Sequence, residues 1–393
     1  MITAIKLLLL VLAVTALVPC VCLLGATLLS GRRQPPSCPS RRLRFDVIVP
    51  AHNEAAVIAR TVASLRKLDW PADLFRILVV ADNCSDTTAS IARSAGAEVL
   101  ERVNLEFRGK GYALAHAFAI SRQQGRADAV VVIDADSVAT ANLLEAFAAR
   151  LERGAHAVQA HYGVLNPHDS WRTRLMTIAT ASVHTVRSRA RGRLGVSCGI
   201  HGNGWCVTHQ LLERVPYRAF SLTEDLEYGI ALGLAGFRVE YADEAHSDAD
   251  MVSGEQIAGK QHQRWEDGRF QLIRTKTLPL FKAAILRRDA VCFDLAIDLI
   301  VLPLSYVVLN VAAVILLAVL ACWWEPSLSA WIWVGLGYAL CLVVYVMRGW
   351  QLSGMGAQGL LDLVRAPGYV IWKILLMLRR RSSGWVRTDR ENQ

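Results

Sequence analysis

The nine cysteines of this 393-residue chain form no C-x-x-C pair, and several of them, including Cys20, Cys22 and Cys341, fall inside apolar runs. Such spacing suggests neither a zinc site nor a disulfide framework, and it fits a reducing compartment for the polar part of the chain. No G-x-G-x-x-G follows the first strand-like segment, which argues against a dinucleotide fold. Internal repeats and low-complexity tracts are missing as well. Charge is scarce, with Asp, Glu, Lys and Arg making up 20% of the residues. Hydrophobic residues make up 53% and the mean hydropathy is +0.31, too apolar for an ordinary soluble chain.

What charge there is has a pattern. The formal net charge is +9, and the basic residues cluster beside apolar segments, which suits anionic headgroups and gives no support to nucleic acid as a partner. Leu7 to Leu29 is nearly uninterrupted apolar sequence, long enough to span, and Arg32, Arg33, Arg41, Arg42 and Arg44 follow it. A signal peptide carries its positive charge before the apolar core, so an uncleaved anchor with its basic end in the cytoplasm is expected. Leu299 to Trp324 and Leu328 to Met347 form a second apolar block, bracketed by Arg287, Arg288 and Arg348, and read as a hairpin. Leu360 to Arg381 is interrupted by Asp362, Arg365, Pro367 and Lys373; it reads as an interfacial helix with Trp372 at headgroup depth. The expected division is an N-terminal span over 1–31, a basic linker over 32–44, a cytoplasmic domain over 45–286, a transmembrane hairpin over 287–348, and an interfacial helix with a basic cytoplasmic tail over 349–393.

Between the apolar blocks, short apolar strands alternate with amphipathic helices: "FDVIVP" precedes "AAVIARTVASLRKL", "FRILVVAD" precedes "TTASIARSA", and "AVVVIDAD" precedes "ANLLEAFAARLE". This alternation predicts an α/β, Rossmann-like domain with a parallel-rich central sheet, whose ligand crevice lies at the carboxyl ends of the strands. Asp134 and Asp136 end the most apolar of these strands. Oxygen ligands there suit Mg²⁺ or Mn²⁺ gripping phosphate; the same residues also read as a strand end in which Asp136 or Ser137 caps a helix beginning near Ala141. Two other strand ends bring Pro50, Asn53 and Glu54, and then Asp82, Asn83 and Asp86, to the same crevice. Lys110 lies in a Gly-flanked loop that enters a helix, where a cation and free amides suit a diphosphate; an exposed loop lysine is the equal alternative.

Two further segments carry chemistry. In "SLTEDLEYGIAL", Ser221 and Glu224 read as a capping box, but Asp225 beside Glu224 is a carboxylate at a helix N-terminus, suited to take a proton from an attacking hydroxyl. In "KQHQRWEDGRF", Gln261, Arg264 and Trp265 fall on one helical face, where they suit an acceptor sugar and a leaving phosphate or, alternatively, anchor a membrane-facing helix. "CGIHGNGWCVT" is Gly-rich enough for close ligand approach, with no role fixed by spacing.

In order and spacing, "PAHNE", "ADNCSD", "DAD", "TED" and Q-x-x-R-W resemble the membrane-bound branch of glycosyltransferase family 2, which includes cellulose, hyaluronan and poly-N-acetylglucosamine synthases. The resemblance implies a GT-A fold, a UDP-sugar donor, a divalent metal and inversion at the anomeric carbon. Asp82 would then contact uridine, Asp134 the donor and Asp136 the metal, with Asp225 as general base and Gln261, Arg264 and Trp265 holding the acceptor end and diphosphate. His52 and Ala81 depart from the usual motif residues. The expected enzyme is a hexosyl- or N-acetylhexosaminyltransferase of the inner membrane acting on a lipid-linked or glycan acceptor. The alternatives are a processive exopolysaccharide synthase subunit working with export subunits, and a non-catalytic nucleotide-sugar-binding scaffold.

Overall fold

The computed structural model describes residues 2–38, 40–251 and 255–371, and leaves the side chains of 255–264 undescribed. After helix α1 (Ile2–Leu29) the chain alternates β1 (Phe45–Ala51), α2 (Ile58–Leu65), β2 (Phe75–Asp82), α3 (Thr88–Ser94), β3 (Glu98–Arg102), α4 (Lys110–Gln124) and β4 (Ala129–Val132). These four strands are parallel, and the run β1–β4 of "FDVIVPA" and "AVVV" is buried almost throughout, as expected for strands covered on both faces.

The second half is mixed. It comprises β5 (Ser137–Ala139), α5 (Leu143–Leu151), β6 (Ala157–Val164), α6 (Trp171–Thr180), a π-helical segment (Ala181–Arg187), α7 (Ser188–Leu194), β7 (Trp205–Thr208), α8 (His209–Arg214), α9 (Glu224–Leu234) and β8 (Val239–Ala249). All eight strands form one sheet in the order β3-β2-β1-β4-β7-β6-β8-β5. β7 runs antiparallel to both its neighbours, β6 and β8 are parallel, and β5 is antiparallel to β8. One face of the sheet buries Val47, Val49 and Ile133 under α2 and α5; the other buries Ile48, Val80 and Val132 under α4 and α9. Strand order reverses about β1, with β2 on one side and β4 on the other, and that is where a crevice opens beyond the strand ends.

The remainder is helical: α10 (Glu255–Arg287), α11 (Ala290–Ile300), α12 (Leu304–Cys322), α13 (Ser329–Ser353) and α14 (Gly356–Asp362). Three helical stretches, Ile2–Leu29, Leu304–Cys322 and Pro326–Ser353, are long and apolar enough to cross a membrane. The apolar run expected to begin at Leu299 is divided. Ala290–Ile300 is a separate helix capped by Asp289 and packed on α10, and the chain breaks at Val301–Pro303 before α12 starts. The break falls directly ahead of Pro303, the N-cap of α12, and a proline disfavours helical backbone in the residue before it; Asp294 and Asp298 on α11 are ion-paired with Arg191. Trp372, Lys373, Arg381 and the "WVRTDR" tail lie outside the described residues.

Asp46, at the start of β1, is buried and accepts from Arg76 Nε at 2.7 Å and Nη2 at 2.8 Å, and also from Ser121 on α4. Asp46→Ala leaves a mostly buried guanidinium without its carboxylate and should cost about 3–5 kcal/mol. The thermal unfolding midpoint of the detergent-solubilised chain measures that loss, with Asp46→Asn expected between the variant and the parent.

Candidate active site

Beyond the carboxyl ends of β1, β2 and β4 lies one open cavity of about 1880 Å³. Asp82, Asp134, Asp136, Glu224 and Asp225, drawn from separate segments, all line it. Pro50, Asn53 and Glu54 form one wall, and Trp265 another. The chain turns sharply at two of the strand ends, where Asn53 and Asn83 have φ of 55° and 52°, a left-handed conformation that Asn tolerates better than most residues.

Asp134 and Asp136 follow β4 in a turn, and β5 begins at Ser137. The helix-cap reading of Asp136 is thereby overturned: a strand intervenes, and α5 begins only at Leu143 with Asn142 at its N-cap. The Ser221–Glu224 capping box is absent too. Helix α9 starts at Glu224 after Thr223, and the Ser221 amide donates to Glu227 Oε2 at 3.1 Å. Glu224 and Asp225 are therefore first-turn acids at a positive helix end.

Lys110 opens α4 as expected, after Gly109 at φ 116°. Its ammonium is engaged by protein groups: Asp134 Oδ1 at 2.5 Å, Glu224 Oε1 at 3.7 Å and the Gly202 carbonyl at 2.6 Å. A Cβ at the next residue, Gly111, would overlap the Ala219 carbonyl oxygen, so only glycine lets α4 start this close to the loop before α9. Burial opposes the charge on Lys110, but Asp134 and Glu224 outweigh it and hold the ammonium above its usual range. Burial is also the largest influence on the two acids. It raises Asp225 and pushes Glu224 up to about 7, with Lys110 pulling both back only in part.

Asp82 lines the cavity but is already paired with Arg102, Nη1 to Oδ1 at 2.5 Å, and its carbonyl is bonded to His52 Nδ1 at 2.7 Å. Asp86 ties two loops together, accepting from the amides of Thr88 at 2.9 Å and Ala55 at 3.2 Å. The side chains of Gln261 and Arg264 lie outside the described residues, whereas Trp265 faces the cavity.

Sequence reasoning missed the scaffold behind these groups. Asn203 is fully buried; its Oδ1 accepts the Asp134 amide at 3.0 Å and its Nδ2 donates to Ser137 Oγ at 2.9 Å, bracketing the acidic turn. Gln159, equally buried, donates to the Asn203 carbonyl at 2.7 Å and accepts the His201 amide at 2.9 Å. The Gly-rich "CGIHGNGW" loop was the available signal: Gly199, Gly202 and Gly204 take φ of 84°, 83° and 69°. A Cβ on Gly202 would stand 3.1 Å from Asp225 Oδ2, so this loop floors the acid. Asp250 was also missed; it lines the cavity and pairs with Arg60, which donates to the Asp136 carbonyl at 3.0 Å.

A family model described as glycosyltransferase like family 2 matches residues 42–268, more than half of the chain. "Probable glycosyltransferase YdaM" of Bacillus subtilis is 25% identical over 64% of this chain and 60% of its own length. "Beta-monoglucosyldiacylglycerol synthase" of Trichormus variabilis is 27% identical over 57% of this chain and 48% of its own. The chain thus spans about half to three-fifths of the curated relatives it matches. Among solved structures, a mannosyltransferase of Pyrobaculum calidifontis, in complex with GDP-Man and Mn²⁺, superposes with a TM-score of 0.50 at 19% identity over 86% of this chain and 99% of its own. That likeness shows a GT-A fold.

The raised Glu224 pKa has a sign that can be checked. A carboxyl whose folded pKa lies above its unfolded value near ~4.3 stabilises the fold below that value, and the contribution is lost as pH rises toward the folded value of about 7. Glu224→Gln should therefore raise the melting temperature at pH 8 and leave it nearly unchanged at pH 4. An equal gain at both pH values would mean that titration is not the cause.

Proposed function

The chain belongs to glycosyltransferase-like family 2, and from that premise we propose that it is an inverting membrane glycosyltransferase moving a sugar from a UDP-sugar to a lipid-linked or membrane-proximal acceptor. The observation that carries this reading is the single cavity shared by Asp82, Asp134, Asp136 and Asp225. Away from Asp82 the same cavity reaches Leu295 and Asp298 on α11 and Pro303 at the foot of α12. A cavity that begins at a nucleotide-type strand end and finishes beneath an apolar helix suits a water-soluble donor and a lipid-borne acceptor. The name of the Trichormus relative, a monoglucosyldiacylglycerol synthase, denotes a lipid product, which supports the same acceptor class. Only three helices of spanning character occur among the described residues, which favours this acceptor over the processive synthases of the cellulose and hyaluronan type.

In the proposed reaction Asp225 accepts the proton of the acceptor hydroxyl while that oxygen attacks the anomeric carbon. The bond from that carbon to the diphosphate breaks on the opposite side, and UDP leaves with the bonding pair. Burial raises the proton affinity of Asp225, which makes it a better base than a solvated carboxylate. Lys110 sits at hydrogen-bond range of Asp134 and keeps a positive charge beside the departing diphosphate. Asp136 and Asp134 present only hard oxygen donors to the cavity, a set that fits Mg²⁺ or Mn²⁺. Such an ion supplies charge neutralisation on the phosphate oxygens when bound. Asp82, Asn53 and Glu54 would face the nucleoside, and Trp265, with Gln261 and Arg264 of the same motif, the acceptor end. A scaffold without catalysis would not need a base held at a glycine-floored helix terminus.

The proposed orientation places the catalytic domain, residues 45–286, in the cytoplasm. Arg33, Arg348 and the neighbouring basic residues lie at the catalytic-domain ends of α1 and α13, where Arg33 reaches the Gly192 carbonyl at 3.4 Å and Arg348 donates to Ser30 Oγ at 2.8 Å.

Membranes expressing the chain, supplied in turn with radiolabelled UDP-sugars, should place label in the lipid extract; label only in polymer would select the processive reading, and none in either fraction would remove the transferase. Asp225→Asn should lower turnover by roughly 10²–10⁴-fold while UDP affinity, measured by calorimetry, stays within error. Loss of UDP binding in that variant would move Asp225 to the donor side. Asp136→Ala should instead weaken manganese-dependent UDP binding, and unchanged manganese dependence would count against its role as a ligand.

A further inference from the structure

Outside the catalytic cavity, β6 and β8 bring together two histidines and an acid. The two strands pair in regular register up to Ala160↔Ala242 and then shift, with His161 opposite His246 and Gly163 opposite Asp248. His161, His246 and Asp248 each turn one potential ligand atom to a common point, all within 4.8 Å of one another. The His161 and His246 rings are 4.4 Å apart, and His246 Nδ1 is 3.9 Å from Asp248 Oδ1.

We propose that His161, His246 and Asp248 form a second metal site, taking a divalent ion of borderline softness such as Zn²⁺, separate from the Asp134–Asp136 site.

The surroundings favour an ion over a chance cluster. Both hydrogen bonds to His161 use Nδ1, from or to Tyr241 Oη at 3.0 Å and Thr185 Oγ1 at 3.2 Å, which leaves Nε2 directed to the cluster. A hydrogen bond on the far nitrogen fixes the orientation of a ligating imidazole, and here two hydroxyls take that place. Asp248 Oδ1 is shielded from solvent and has no hydrogen-bond partner of good geometry, the Gly163 amide being the one donor that acts on the carboxylate, and a cation would relieve that under-satisfied state. Gly163 keeps the space clear: a Cβ there would overlap Asp248 Oδ1 and stand 3.1 Å from His161 Nε2.

Two imidazoles and one carboxylate suit zinc better than magnesium, which prefers oxygen and its own waters. With metal–ligand distances near ~2.1 Å no two ligand atoms can stand more than about 4.2 Å apart, so the longest edge must close by roughly half an ångström or more. The half-exposed His246 ring can supply that by rotating. Once bound, the ion would staple β6 to β8 immediately after their register shift. Through Thr185 it would also fix the π-helical segment. Asp250, two residues beyond Asp248, and Tyr162, between His161 and Gly163, both line the catalytic cavity, so the staple would stiffen its wall.

The test uses the full chain in detergent, stripped with chelator and re-equilibrated with Zn²⁺ alone, with bound metal counted by elemental analysis and affinity taken from chelator competition. The expected result is one retained zinc, a higher melting temperature with zinc than without, and the same zinc in the Asp136→Ala background. His246→Ala, at a half-exposed position that should tolerate it, and Asp248→Asn should abolish both the retained zinc and the thermal shift, and Tyr241→Phe should weaken binding by about 10-fold. Zinc lost with Asp136→Ala but kept in His246→Ala would belong to the nucleotide site and overturn the proposal. Zinc kept in all variants, as from cysteine binding, or no zinc above the detergent blank would overturn it equally.

Discussion

Three carboxylates share the ammonium of Lys110, and the catalytic half of the molecule is arranged around that imbalance. Asp134, Glu224 and Asp225 approach from two segments far apart in sequence, and unit charges ~4 Å apart at an effective dielectric near 20 interact by about 4 kcal/mol. One cation cannot neutralise three acids, and burial adds to the penalty on the acids rather than relieving it. Proton affinity at Glu224 and Asp225 is therefore raised, and added positive charge in the cavity would lower it. A diphosphate entering the same cavity brings further negative charge, which is why a divalent ion beside Asp136 is chemically coherent with a raised base beside Lys110.

Such repulsion would splay a loosely built turn. What prevents it is a buried amide network rather than the charged residues themselves. Asn203 satisfies the Asp134 amide and reaches Ser137, the residue directly after the acidic pair, so both flanks of the turn are fixed by one side chain. Gln159 in turn fixes the backbone of Asn203 and His201, and Ser247 Oγ donates to Asn203 Oδ1 at 2.9 Å from the neighbouring strand. Every polar atom of the two amides is within reach of a partner inside the protein, and a satisfied network of this kind holds a unique geometry. The glycines of the same loop let its backbone pass under Asp225 and supply the carbonyl that binds Lys110.

That division explains what could be read in the sequence. Periodicity located β1, β2 and β4 because parallel strands buried on both faces leave an uninterrupted apolar signature, and it placed Asn53, Asp82 and Asp134 at their ends for the same reason. The mixed half of the sheet was less legible. β7 is four residues and β5 three, too short for a period to register, and β5 was mistaken for the approach to a helix. Spacing also brought Ser221 and Glu224 into a capping-box pattern that the tertiary structure discards, since the Ser221 amide is used by Glu227 instead. Gln159 carries no motif and Asn203 only the Gly-rich loop around it; their meaning lies in partners 69 and 44 residues away. The apolar run at Leu299 looked continuous because hydropathy carries no sign of the break at Val301–Pro303, where the chain leaves α11 and Pro303 caps α12.

Ion pairs show how the catalytic domain is joined to the apolar helices. Arg187 and Arg191, one turn apart, meet Asp298 and Asp294, one turn apart on α11, so two helices are locked by a charge ladder at the edge of the cavity. Immediately before it the backbone widens into the π-helical Ala181–Arg187, where the Ser182 carbonyl accepts from Tyr345 on α13 at 2.8 Å. Gly349 makes that approach feasible, because a Cβ there would overlap Ser182 Oγ. A wider turn at this point carries Arg187 around to the cavity while Val186 packs with Cys20, Val311 and Leu342 among the apolar helices. One short segment thus faces the apolar helices with one residue and the active-site cavity with the next. The contact of α13 with Ser182 therefore lies within a few residues of Arg187 and its partner Asp298, both of which line the cavity.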